Sequence, residues 1–245
     1  MKPKRCLIIG ATSDIAKELI YLFAKDGYSL DLVARRMDEL ERIKKDLNNR
    51  FNIEVNNYFM DIENLKLIDS FIQTYPYTPD ITVFAIGYLG NQKLAEINIE
   101  EAIKITNINY TNQIPLLNHF ANIMEQNQKG TIIGISSIAG ERGRKTNYYY
   151  GAAKAALTQH LSGLRQRLHK SNVRVITIKP GFIKTKMTSH LSVPSIFEGS
   201  PKKVAQGIYT CYKSNKSILI TPPIYYFLNV FIKLLPEKLF KQINL

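Results

Sequence analysis

The stretch Gly134-Ile-Ser-Ser137-Ile-Ala-Gly-Glu-Arg-Gly-Arg-Lys-Thr-Asn-Tyr-Tyr-Tyr150-Gly-Ala-Ala-Lys154 joins a strand-like run to a helix-like one and carries three side chains with a shared chemistry. The run that leads into it, Thr131-Ile-Ile-Gly-Ile135, is short and apolar, the pattern of a buried strand. Tyr150 and Lys154 are four residues apart, which on a helix puts them on one face about 6 Å apart along the axis. A lysine ammonium there stabilises a tyrosinate, and the Ser137 hydroxyl holds a substrate oxygen beside it. That is proton-transfer chemistry at a carbonyl or an alcohol. The Tyr-x-x-x-Lys spacing by itself decides nothing, because it recurs at Tyr21/Lys25, Tyr209/Lys213 and Tyr212/Lys216. Thirteen residues before those tyrosines stand Ile8, Ile196 and Gly199, whereas Ser137 stands thirteen before Tyr150.

Outward from this stretch, apolar runs alternate with longer helical patterns. Strands are expected at Arg5–Ile9, Ser29–Val33, Glu54–Phe59, Ile81–Phe84, Gly130–Ser136, Val173–Lys179 and Ser217–Thr221. Helices are expected at Asp14–Asp26, Met37–Arg50, Asn64–Thr74, Asn98–Gln126, Tyr148–Lys170 and Pro201–Lys213. Ile- and Val-rich strands separated by helices imply a doubly wound parallel α/β sheet. Ligands on such a sheet bind at the carboxyl ends of the strands, where Gly10, Ser137 and Gly181 fall. No linker, repeat or low-complexity block divides the 245 residues, so one domain is expected. Residues 1–221 are read as its body and 222–245 as an extension of it.

No run of 18 apolar residues occurs, which argues against a bilayer-spanning helix. The basic start, Met1-Lys-Pro-Lys-Arg-Cys6, lacks the apolar region of a signal peptide. Two cysteines, Cys6 and Cys211, are too few for a disulfide framework and read as reduced core residues of a cytoplasmic protein. The net charge of +13 favours anionic partners or simply maintains solubility. The basic residues are scattered, and no nucleic-acid-binding or zinc-ligand signature appears. Nucleic acid is therefore not an expected partner, and no metal is expected.

The first strand ends in Gly10-Ala-Thr-Ser-Asp-Ile-Ala16 and a helix follows. A small-residue turn at a helix start presents N–H groups and a positive dipole end to a phosphate. Only the first glycine of a dinucleotide fingerprint is present. Asp14 repels pyrophosphate if it points inward and favours the helix start if it points outward. Such a turn also occurs as a plain helix cap. The second strand ends in Arg35-Arg36, where an acidic residue would bind the ribose 2′-hydroxyl of NAD. Arginine favours a 2′-phosphate, hence NADP, and NADPH over NADH. The alternative is two solvated arginines opening a helix. Asp61, after the third strand, either accepts from the adenine amino group or caps the next helix.

Taken together and in order, the Gly10 turn, Arg35, Asp61, Gly87, Asn109, Ser137, Tyr150/Lys154 and Pro180-Gly181 resemble the short-chain dehydrogenase/reductases over nearly the whole chain. The resemblance implies a single-domain Rossmann fold with strand order 3-2-1-4-5-6-7. It makes Tyr150 the acid/base and Lys154 the ribose ligand that lowers the tyrosine pKa. Ser137 becomes the substrate-oxygen donor, and Asn109 the holder of a relay water (or a helical asparagine like its neighbours). Around the cofactor it places Gly10, Thr12, Ser13, Asp14, Ile15, Arg35, Arg36, Asp61, Ile62, Ala85, Gly87, Tyr150, Lys154, Pro180, Gly181, Ile183 and Thr185. Ser136, Tyr148 and Tyr149 are expected to be decoys. The sequence departs from the family at Asp14 and Ala16, and at Phe84-Ala-Ile-Gly87, where the family has Asn-Asn-Ala-Gly. A homodimer or homotetramer through the helices at Asn98–Gln126 and Tyr148–Lys170 is also implied by resemblance.

The start of the chain and its end resemble, more narrowly, reductases of decaprenylphosphoryl-2-keto-pentoses. The end is the aromatic run Thr221-Pro-Pro-Ile-Tyr-Tyr-Phe-Leu-Asn-Val-Phe-Ile-Lys233, followed by a second piece after Pro236. It is too short to span a bilayer. It packs on protein or lies in the membrane interface with its lysines on anionic head groups, giving peripheral contact at the inner membrane face. His190, in the substrate loop between Met187 and Ser200, either contacts a polar group or has no role. The expected activity is NADPH-dependent reduction of a ketone on a phosphorylated or polyprenyl-phosphate-linked sugar. A 3-oxoacyl thioester or small-ketone reductase is the competing enzyme, and a non-catalytic NADP-binding regulator the competing class.

Overall fold

Along β1 (Arg5–Ile9), Cys6 and Ile8 face one apolar layer while Leu7 and Ile9 face another. A strand buried on both faces needs helices above and below it. In the computed structural model, which describes residues 4–189 and 193–243, that need is met by a regular alternation. After β1 come α1 (Asp14–Lys25), β2 (Ser29–Ala34), α2 (Met37–Arg50), β3 (Val55–Phe59), α3 (Leu65–Thr74) and β4 (Ile81–Phe84). The second half contains α4 (Gln92–Ala95), α5 (Ile99–Asn109), α6 (Ile114–Gln126), β5 (Gly130–Ile135), α7 (Tyr148–Arg167), β6 (Val173–Pro180), α8 (Pro201–Lys213), β7 (Ile218–Thr221), α9 (Ile224–Leu234) and α10 (Glu237–Phe240). The seven strands form one sheet in the order β3-β2-β1-β4-β5-β6-β7, and every pairing is parallel. The order reverses between β1 and β4, so the crevice at their carboxyl ends is the natural ligand site.

Leu19 and Phe23 of α1, Leu40 and Leu47 of α2, and Val204 and Ile208 of α8 fill one layer. Phe71 of α3, Leu117 and Phe120 of α6, and Leu157 and Leu161 of α7 fill the other. Each such side chain contributes roughly 1.5–3 kcal/mol by leaving water. Cys6 and Cys211 are buried free thiols in the first layer.

The single helix expected over Asn98–Gln126 is two helices. The chain leaves helical geometry at Tyr110 (φ −146°, ψ −67°) and makes one 3-10 turn over Thr111–Gln113 before α6 begins. Pro115 lies in the first turn of α6, where its missing N–H does no harm; inside a continuous helix it would break a bond and clash.

Toward the amino edge of the sheet, Asp31 is fully buried. It accepts from Arg5 Nη1 at 2.9 Å, Tyr75 Oη at 2.6 Å and Asn56 Nδ2 at 3.0 Å. The Arg5 guanidinium also lies 3.7 Å from the centre of the Tyr77 ring.

The carboxyl-terminal helices fold back onto the body. Tyr225, Asn229 and Ile232 form the buried face of α9. Arg142 Nη1 donates to the carbonyls of Ile232 (2.5 Å) and Leu235 (2.6 Å), which end that helix, and Nη2 pairs with Glu237 at 2.7 Å. Glu141 receives Lys179 at 2.5 Å and also Lys233 of α9. The outward face keeps Tyr226, Phe227, Val230, Phe231 and Leu234 exposed. No helix among the described residues is long and apolar enough to cross a membrane.

Candidate active site

A cleft of about 440 Å³ opens at the carboxyl ends of β1, β4, β5 and β6. That volume is ordinary for a small-molecule site. At its floor the turn after β1 is made by Gly10, with φ +86°. A Cβ there would come within 2.8 Å of the Ala85 carbonyl carbon and oxygen, so only glycine fits. Ser13 then caps α1, its hydroxyl accepting from Ala16 N–H at 3.3 Å. The N–H groups of that first turn meet the cleft wall formed by Gly10, Thr12, Ser13 and Ile15.

Asp14 lines the cleft. Its Oδ2 accepts from the backbone N–H of Lys186 at 2.7 Å, which ties the start of α1 to the segment after β6. Arg35 and Arg36 stand at the end of β2, on the cleft, and more than half exposed. Arg35 pairs with Glu63 at 3.1 Å, and Arg36 pairs with Glu39 at 2.8 Å and donates to the Thr12 carbonyl at 3.1 Å.

At the other end, the Ser137 hydroxyl accepts from Ala139 N–H at 3.1 Å, which opens a 3-10 turn over Ile138–Glu141. That turn lies directly on α7: a Cβ on Gly140 would sit 2.6 Å from Ala155 N. Ser137 and Tyr150 both stand on the cleft wall, with the Ser137 hydroxyl donating to the Pro180 carbonyl at 3.5 Å. Lys154, one turn further on, is only 2% exposed. Its Nζ donates to the carbonyls of Ile86 and Ile135, both at 3.1 Å, and lies 5.8 Å from the centre of the Tyr150 ring. The ammonium thus bridges the ends of β4 and β5.

Burial dominates the titration of both groups. It pushes the Tyr150 phenol up to about 12, partly countered by its bond with Ser137, and pulls Lys154 down to about 7. The expectation that Lys154 brings the phenol toward neutrality is not met by the chain alone. Desolvation of the phenolate exceeds the help of an ammonium that is itself desolvated and directed at two carbonyls. The phenol is therefore a proton donor throughout the neutral range.

The expected site residues Ile62, Ala85, Gly87, Pro180, Gly181, Ile183 and Thr185 also line the cleft. Asp61 and Asn109 do not. Asp61 Oδ1 accepts from Glu63 N–H at 3.0 Å in the turn before α3, whose cap is Asn64 rather than Asp61, and lies 3.8 Å from Arg35 Nη1. Asn109 is fully buried and uses its amide locally. Its Oδ1 accepts from Tyr88 N–H at 3.1 Å, while Nδ2 donates to the carbonyls of Tyr88 (2.6 Å) and Ile105 (2.8 Å). It shapes the loop after β4, where the family's asparagines are replaced. Ser136 is turned away, donating to the Lys154 carbonyl at 2.9 Å. Tyr88, Lys104 and Glu63 line the cleft as well and carry no sequence mark. His190 lies outside the described residues.

The fold and this site define a nucleotide-dependent oxidoreductase of the Rossmann type. The family profile described as short chain dehydrogenase matches residues 4–194. An uncharacterized oxidoreductase of Mycobacterium tuberculosis is 31% identical over 240 residues, covering 96% of this chain and 95% of that protein. The NADP-dependent 3-hydroxy acid dehydrogenase of Schizosaccharomyces pombe is 29% identical over 190 residues, 76% of this chain and 73% of its own length. Among solved structures, a short-chain dehydrogenase from Sphingobium yanoikuyae in complex with NADPH superposes with a TM-score of 0.82 at 20% identity, covering 98% of this chain and 96% of that one. The chain belongs to the short-chain dehydrogenase family and is an NAD(P)-dependent oxidoreductase acting on CH–OH/C=O groups.

Proposed function

We propose that this enzyme uses NADPH to reduce a ketone to a secondary alcohol, and that the ketone is a sugar carried on phosphate or polyprenyl phosphate in cell-surface polysaccharide synthesis. One observation carries the reductive reading: Ser137, Tyr150 and Lys154 stand together on the wall of one cleft at the strand ends, where burial favours the protonated phenol. The cleft fits a nicotinamide dinucleotide, because its lining brings the Gly10 turn and the start of α1 together with the ends of β2, β4, β5 and β6 around one space of about 440 Å³. When bound, that cofactor supplies the hydride. Ser137 orients the carbonyl oxygen, Tyr150 gives it a proton, and Lys154 holds the strand ends and the ribose side of the cleft in place. A positioned acid of this kind is typically worth about 10²–10⁴ in rate.

Arg35 and Arg36 support NADPH over NADH. A 2′-phosphate offers bidentate acceptors that compete with Glu63 and Glu39 for the two guanidinium groups. The yeast relative is NADP-dependent by its name. The aromatic outer face of α9, with the net charge of +13, supports a substrate and a working position at an anionic membrane surface. Phe227→Asp with Phe231→Asp should abolish cosedimentation with phosphatidylglycerol vesicles. Ile99 and Ile103, exposed on α5, supply apolar surface for a homodimer or homotetramer.

The decisive experiment is NADPH oxidation against phosphorylated keto-sugars and 3-oxoacyl thioesters, with Tyr150→Phe alongside. Turnover should fall by about 10²–10⁴ in the variant while NADPH binding persists. Full turnover by Tyr150→Phe overturns the mechanism, and preference for the thioester overturns the substrate.

A further inference from the structure

Among the described residues the cleft is lined by two carboxylates, Asp14 and Glu63, and they are held differently. Asp14 accepts from the backbone N–H of Lys186. Glu63 joins two cations that come from separate elements and line the cleft themselves. Its Oε1 meets Arg35 Nη1, at the end of β2, at 3.1 Å, and its Oε2 meets Lys104 Nζ, on α5, at 3.2 Å. Lys104 stands one helical turn before Ile108, which also lines the cleft, so one face of α5 presents both. Asp61, 3.8 Å from the same guanidinium, does not line it.

The side chains of Arg35, Glu63 and Lys104 are 58%, 32% and 42% exposed. Ion pairs as open as these contribute little to folding, so this one is exchangeable. A phosphate dianion offers the two cations more charge and more acceptor oxygens than one carboxylate does. Once displaced, Glu63 would lie beside that dianion without its partners, and like charges that close repel. A neutral hydroxyl arriving at the same place asks for no such exchange. Glu63 therefore opposes a phosphate at Arg35 and leaves a hydroxyl there unopposed, while Lys104 favours the phosphate.

We propose that Glu63 sets how strongly the cleft prefers NADPH to NADH, by competing with the ribose 2′-phosphate for Arg35 and Lys104, and that Lys104 is a third cation at the phosphate position. The proposal rests on the cofactor reading above for the place of that phosphate; it is independent of the substrate. Two residues that are bonded to each other should then have opposite effects. Removing the carboxylate sharpens the preference, and removing the lysine blunts it. A pair with a structural role alone would lose the same thing whichever partner is removed.

The test is fluorescence titration of the full chain with NADPH and with NADH, in the parent protein and in Glu63→Gln, Lys104→Gln and Lys104→Arg. Glu63→Gln should raise the NADPH-to-NADH affinity ratio by about 10-fold, and Lys104→Gln should lower it by about 3–10-fold, as for single charge-assisted contacts. Lys104→Arg, which keeps the charge, should stay within about 2-fold of the parent ratio. In all three variants the affinity for NADH should change by less than about 2-fold, because the pairs they break are exposed. An unchanged or lowered ratio in Glu63→Gln overturns the proposal, and so does an unchanged or raised ratio in Lys104→Gln. Equal changes in the affinities for NADPH and NADH also overturn it, since the side chains would then act on the part the two nucleotides share. Should one variant fail to fold, the opposite sign expected of the other decides alone. A parent that binds both nucleotides equally, with a Glu63→Gln variant that prefers NADPH, removes the NADPH reading and leaves the role of Glu63 standing. Absence of any preference in all four proteins overturns both.

Discussion

Asp31, toward the amino edge of the sheet, and Lys154, at the carboxyl edge, are buried to the same degree, yet their surroundings are opposite in kind. Three donors converge on Asp31, one of them the cation of Arg5. Lys154 meets only the carbonyls of Ile86 and Ile135, and burial draws its pKa down to about 7. A charge paired on all sides is a structural element. A charge kept without a counter-charge beside a cleft, at a standing loss of stability, is what a reaction site requires.

The contrast can be broken at either end. Asp31→Ala should have the largest effect, a loss of about 3–5 kcal/mol in urea unfolding, because it strands Arg5 and the Tyr75 hydroxyl. Per folded molecule, NADPH oxidation should persist. A loss below ~1 kcal/mol would show the network to be expendable.

Lys154→Met should do the reverse, lowering turnover while raising stability in acid. The sign follows from the direction of the shift. Native Lys154 titrates near 7, and the unfolded residue near 10.5. Between those values the unfolded chain binds a proton that the native state has released, so the stability of the parent rises with pH. The gain from Lys154→Met should thus be greatest at pH 6, on the order of a few kcal/mol above its value at pH 10.5. Parallel stability curves for the two proteins across that window would refute the depressed pKa.

Gly10→Ala should destabilise by about 1–3 kcal/mol and weaken NADPH, since the new Cβ meets the Ala85 carbonyl at positive φ. Fluorescence titration with NADPH checks it. The smallest effect is expected at Asp14→Ala, which frees the segment at Lys186 from α1. Losing one such bond is worth about 1–2 kcal/mol and should appear as faster NADPH release in stopped-flow displacement. Unchanged release would confine Asp14 to capping.

Much of this contrast was open to reading in the chain. The strand runs, the parallel order implied by the family resemblance, and the Ser137/Tyr150/Lys154 spacing all correspond to what the fold displays, because apolar periodicity and helical spacing are local properties. The break at Tyr110 was not read, although Pro115 marked it: proline is tolerated in a first turn and forbidden deeper, and only the path of the chain shows which applies. Asp14 allowed two directions, and only the folded chain shows that its carboxylate receives the N–H of Lys186, 172 residues away. The tail likewise allowed protein or membrane as its partner. One face of α9 is now spoken for by Glu141 and Arg142, while Phe227 and Phe231 remain outside.

What the amino-acid sequence determined by itself was the family, the sheet, and the residues able to move a proton, since these follow from residue type and short spacings. What the tertiary structure alone decided was the state of those residues. The acidity of Tyr150 and the weakened charge of Lys154 depend on which atoms exclude water around them, and those atoms come from strands and helices far apart in the chain.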